Sequence, residues 1–131
     1  MSMKRVVLVD DDDTLRRTLF LMLHEQYRVY PVKNAREALR RFSNTKIDLI
    51  ISDVKLPGLS GLEMIARFRE AGYKGEVILV SGYPDIIDIE GLRHLSVGYF
   101  FAKPFDLADL NSAVEYLLDT KKWHEKRISS I

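Results

Sequence analysis

Asp10, Asp11, Asp53, Ser81 and Lys103 are the residues of this chain whose types and positions could do chemistry together. Each comes at the end of a short apolar run, so a fold that aligns those runs would gather all five at one edge. Two carboxylates about 5 Å apart at an effective dielectric near 20 repel by roughly 3 kcal/mol, so such a cluster needs a proton or a cation. With oxygen ligands only, no cysteine and room for water, the fitting ion is a hard one such as Mg²⁺ rather than zinc. A phosphoryl group could then sit at the same edge, with Lys103 supplying a second positive charge and Ser81 a hydroxyl hydrogen bond. A carboxylate there could act as nucleophile and form an aspartyl phosphate.

The elements that must position these residues are visible as an alternation. Runs rich in β-branched residues, at 5–9, 27–32, 47–51, 76–80 and 98–102, alternate with amphipathic stretches. The helical stripes are Leu15, Leu19, Met22 and Leu23; Ala35, Ala38, Leu39 and Phe42; Leu62, Ile65 and Phe68; and Leu107, Leu110, Val114, Leu117 and Leu118. Their steps of three and four are those of helices with one buried face. Asn34 and Ser60 are expected N-caps, and Gly72 and Gly75 bracket a turn. The segment from Pro84 to Leu95 is the weakest helix, with Gly91 inside it and a thin apolar stripe. Five βα units with right-handed crossovers predict an α/β fold with a doubly wound parallel sheet. Ligands bind such sheets beyond the carboxyl ends of the strands, where the five residues fall.

Composition narrows the classes. The chain has 131 residues, 47% hydrophobic and 30% charged, with no cysteine, which describes one domain able to fold without disulfides or a structural metal. Cysteine nucleophiles, thiolate zinc sites and iron–sulfur clusters are excluded. No apolar run reaches the roughly 18 residues of a membrane span, and the opening residues do not resemble a signal peptide, so a cytoplasmic location away from membranes is expected. The net charge of +1 divides unevenly: residues 121–131 carry +3 and the rest −2.

Four blocks together resemble the receiver domain of two-component response regulators: Val9-Asp10-Asp11-Asp12, Ser52 to Gly61 with its Leu56-Pro57-Gly58, Val80-Ser81-Gly82-Tyr83, and Lys103-Pro104-Phe105. The resemblance covers residues 3–122 and leaves 123–131 as a tail or the start of a linker. It implies a flavodoxin-like (βα)5 sheet of strand order 2-1-3-4-5, the order for which a receiver is a standing example. It also implies a role for each residue. Asp53 would be the phosphoacceptor, Asp11 a direct Mg²⁺ ligand and Asp10 a ligand through water. The backbone carbonyl of Lys55 would complete the metal shell. Ser81 would be the switch hydroxyl, Phe100 the switch aromatic and Lys103 the ion-pairing lysine, with a cis bond before Pro104. Lys55 and Tyr83 flank the site at positions that vary in the family, and screening by them would give a fairly long-lived phosphoryl state. The implied partners are a histidine kinase or phosphotransfer protein as donor. An output domain or a second copy would dock on the fourth helix, fifth strand and fifth helix. Such a protein is not an enzyme in the ordinary sense, although it catalyses its own phosphorylation and dephosphorylation. No output segment follows Leu118, so the chain reads as a single-domain receiver or as the front of a longer regulator.

A different class competes. Asp10-Asp11-Asp12-Asp13-Thr14-Leu15 also resembles the opening of haloacid-dehalogenase-type phosphatases, with Asp10 as nucleophile and Asp12 as proton donor. The chain is short for that fold, lacks a late acidic pair and leaves Asp53 without a role. Ordinary roles cover the remaining candidates. Asp12 and Asp13 read as cap or turn residues, His24-Glu25 as surface, and the basic residues around Trp123 as a helix end with no direct nucleic-acid role.

Overall fold

The computed structural model describes residues 3–83 and 88–119. Five strands, β1 (Arg5–Val9), β2 (Arg28–Val32), β3 (Leu49–Asp53), β4 (Glu76–Ser81) and β5 (Tyr99–Ala102), alternate with five helices. These are α1 (Asp13–Leu23), α2 (Ala35–Phe42), α3 (Gly61–Glu70), α4 (Ile89–His94) and α5 (Leu107–Leu118). The strands are all parallel and lie in the order β2-β1-β3-β4-β5, so the expected doubly wound sheet is present.

The central strands are apolar throughout because both of their faces are covered. Val7 and Val9 of β1 enter one core with Ala38, Met64, Ile65 and Phe68 of α2 and α3. Val6 and Leu8, pointing the other way, join Leu19, Leu23, Leu110 and Val114 of α1 and α5. The sheet is thereby fixed in register, since a slip of one residue would exchange the two cores.

Local chemistry sets the helix ends. Asn34 and Ser60 cap α2 and α3 as expected, their side chains accepting from the Glu37 and Glu63 N–H groups. Three acids add caps of the same kind: Asp12 for α1, Asp88 for α4 and Asp106 for α5. The third strand lies two residues later than the run 47–51, because the Asp48 carboxylate accepts the Arg5 N–H at 2.8 Å at the entry to the sheet. Asp53 and Ser81 are the last residues of their strands, paired with Val80 and Ala102. Within the expected segment 84–95, α4 begins at Ile89 and buries none of its residues; 84–87 lie outside the described residues.

Arg69, near the end of α3, fastens the end of α4. Its Nε donates to the Leu95 carbonyl at 2.9 Å and its Nη2 to that of Ser96 at 3.2 Å. Its Nη1 reaches the carbonyls of Tyr73 and Gly75, and its guanidinium lies 5.1 Å from the Tyr73 ring centre.

Candidate functional site

At the carboxyl end of β1 the chain bends, and the polar groups of Asp10 and Asp12 find partners there. The Asp10 N–H donates to the Val32 carbonyl, and Asp10 Oδ1 accepts the Asp12 N–H at 2.9 Å. Asp12 in turn caps α1 through the Thr14 and Leu15 N–H groups, which is the ordinary role expected of it. Asp10 is buried at 1% exposure, whereas Asp11 is open to solvent.

Asp53 closes β3 at the centre of the sheet. Its Oδ1 accepts the Lys55 N–H at 3.0 Å and its Oδ2 the Lys103 ammonium at 2.5 Å. Ser52 Oγ donates to the Asp53 carbonyl oxygen at 2.8 Å, and Gly61 presses on the same oxygen, where an added Cβ would stand only 2.1 Å away. Lys103 reaches across from the end of β5, preceding a cis bond to Pro104, and its ammonium also lies 3.7 Å from Asp10 Oδ2. One carboxylate oxygen from each of Asp10, Asp11 and Asp53 falls within 4.8 Å of the others. Beside them opens a cleft of about 460 Å³, walled by Lys55, Leu56, Pro57, Gly82 and Tyr83.

The electrostatics are those of a crowded acidic site. Burial holds the Asp10 carboxyl above its ordinary range, with the charges of Asp53 and Asp11 adding to the rise. The Asp12 N–H bond and Lys103 oppose it. Burial disfavours the Lys103 charge, but the Asp53 hydrogen bond and the Asp10 and Asp53 charges outweigh it and raise its pKa. An all-oxygen donor set with one acid pushed toward protonation fits a hard divalent cation, which would relieve the repulsion.

Four of the five expected side chains thus meet. Ser81 is at the same sheet edge but fully buried, its hydroxyl accepting the Tyr83 N–H at 2.9 Å rather than opening on the cleft. Phe100 packs toward the α2–α3 core, on the layer that also receives Leu92 and Leu95. Its neighbours Tyr99 and Phe101 stack on the opposite face, 6.1 Å between centres. Lys55 and Tyr83 meet at the cleft mouth, the ammonium 4.5 Å above the ring. Sequence reasoning assigned nothing to Gly61 or Arg16. Arg16 holds the Asp10 carbonyl from Nη1 at 2.8 Å and Asp13 from Nη2 at 2.5 Å. Its only sequence signal is the spacing of three from Asp13 in the first turn of a helix.

Residues 6–115 match the family model of the response regulator receiver domain. The chain belongs to that family. Among curated relatives, sporulation initiation phosphotransferase F of Bacillus subtilis is 28% identical over 92% of the chain and 98% of its own length. The transcriptional regulatory protein PcoR of Escherichia coli is 33% identical over 88% of the chain and 52% of its own length. The receiver spans only 26% of another relative, regulatory protein AtoC of Escherichia coli. Among solved structures, the response regulator TrrA of Thermotoga maritima in complex with Mg²⁺-BeF is 31% identical with a TM-score of 0.78, covering 88% of the receiver and 100% of that chain. TrrA in complex with the histidine kinase ThkA matches with a TM-score of 0.76 at the same 31% identity, over 88% and 99% of the two chains. Family membership sets the phosphatase alternative aside. The site agrees with it: the Asp12 carboxylate, needed there as proton donor, is spent on the α1 cap.

Proposed function

We propose that this receiver accepts a phosphoryl group on Asp53 from a phosphohistidine of a histidine kinase or phosphotransfer protein. The observation that carries the proposal is the seating of Asp53. Among the described residues it alone joins the acidic cluster, bonds the Lys103 ammonium and lines the cleft. In the transfer, an Asp53 carboxylate oxygen forms the new P–O bond as the P–N bond breaks, and the histidine ring leaves. Mg²⁺, when bound, would neutralise the phosphoryl oxygens. Asp10, Asp11, Asp53 and the Lys55 carbonyl would hold it. Lys103 would pair with the incoming charge, so that positioning and electrostatics let the receiver catalyse its own phosphorylation.

Ser81 would then move toward the phosphoryl group and Phe100 would move with it, carrying the change to the surface of α4, β5 and α5, where an output domain or a second copy would dock. The domain would extend over residues 3–122, and its setting would be the cytoplasm. Among the described residues no helix is long and apolar enough to cross a membrane. The Lys55–Tyr83 contact over the cleft supports a fairly long-lived phosphoryl state.

The test is labelling with acetyl phosphate and Mg²⁺, followed by intact mass. Wild type should gain one phosphoryl group, and Asp53→Asn should gain none. A modified Asp53→Asn protein would place the acceptor elsewhere. In a chase, loss of label within seconds would count against screening by Lys55 and Tyr83.

A further inference from the structure

Arg16 occupies an unusual place for a charged side chain on the first turn of a helix. Its side chain is only 14% exposed, and it turns back across the end of β1 instead of into solvent. One limb of its guanidinium donates to the backbone carbonyl of Asp10, and the other to the exposed carboxylate of Asp13. The two limbs span the stretch from Asp10 to Asp13, which carries both acids that approach Asp53. The planar fork suits this task, since two fixed donors hold both ends of a loop where an ammonium is a single point charge.

We infer that Arg16 is a positioning residue for the cation site: by clamping the Asp10 carbonyl to α1, it fixes where the Asp10 and Asp11 carboxylates point. This rests on the reading of those acids as Mg²⁺ ligands. Partners that orient ligands from behind typically change metal affinity by tenfold to a hundredfold when removed. The sign separates this role from simple electrostatics. Arg16 is a cation beside a cation site, so by Coulomb's law alone its neutralisation would tighten Mg²⁺ binding. A clamp predicts the reverse.

Calorimetric titration of the whole protein with Mg²⁺ alone tests it. Arg16→Met, which keeps the apolar stem but neither the charge nor the fork, should weaken Mg²⁺ by about tenfold or more. Arg16→Lys, which keeps the charge, should weaken it as well. Asp13→Asn removes the carboxylate at the exposed limb and leaves the bond to the Asp10 carbonyl, so its loss should be smaller. Unchanged or tighter binding in Arg16→Met would overturn the clamp. Should that variant fail to fold, Arg16→Lys decides alone, with wild-type affinity as the overturning result. Failure of the underlying reading looks different: Asp11→Asn would then bind Mg²⁺ as tightly as wild type.

Discussion

Asp53 is held in place by a neighbour that has no side chain. Gly61 follows the Leu56-Pro57-Gly58 loop, donates its N–H to the Val54 carbonyl at 2.8 Å and leaves no room for a methyl group against the Asp53 carbonyl oxygen. That oxygen is backbone at the carboxyl end of the central strand and cannot swing aside. Gly61→Ala should therefore cost about 1–3 kcal/mol of stability and weaken Mg²⁺ binding as the end of β3 shifts. Urea unfolding and Mg²⁺ titration read the two effects, and wild-type behaviour in both would show that the loop gives way. The acidic cluster was legible in the sequence because a carboxylate at a strand end can point to few places. The inward turn of the Ser81 hydroxyl and the backward reach of Arg16 were not. Both depend on rotamers chosen by the final packing, and no residue pattern records them.

At the scale of elements, the two outer strands are unequal. In β2 the Arg28 N–H donates to the Lys4 carbonyl and the Val32 carbonyl accepts from Asp10, so residues 28, 30 and 32 face β1. By alternation, Val29 and Pro31 present their backbone to the open side, where proline removes a donor from an edge that could otherwise pair with another chain. Pro31→Val should restore that donor and promote concentration-dependent association, followed by light scattering. A variant that scatters as wild type does at every concentration would show that the edge is guarded by other means. The sequence placed this strand well, since its apolar residues feed both cores, Val29 one and Tyr30 and Val32 the other. It misplaced β3 by two residues because hydrophobicity marks a buried run, whereas the hydrogen-bond ladder and the Asp48–Arg5 bond mark the strand. The short α4 was hardest to read for a related reason, as a helix that buries none of its residues leaves almost no stripe.

Across the whole molecule, each face of the sheet holds a tyrosine whose phenol resists ionisation. Burial first, then the charges of Asp119 and Glu115, push Tyr27 up from 10.0 to about 12, and burial likewise raises Tyr73 on the other side. The folded state keeps protons that the unfolded chain releases at lower pH. The resulting stability is intact below about pH 10 and is lost as pH rises through about 12. Denaturation midpoints between pH 9 and 12 should fall, and Tyr27→Phe should flatten part of that fall. At neutral pH the same variant should be no less stable, because the buried Tyr27 hydroxyl has no hydrogen-bond partner among the described residues. A large loss of stability at pH 7 would contradict this.

The Arg69 clasp has a mechanical consequence for α4. The helix is riveted at its Leu95 end to α3 and to the approach to β4, while Ile89 at its other end is 66% exposed. A rod clasped at one end pivots about that clasp. Six residues make a lever of about 9 Å, so a rotation of roughly 20° would sweep the Ile89 end by about 3 Å and leave the Leu95 end almost still. Leverage of this kind would turn a small push at the end of β4 into a larger displacement on the surface.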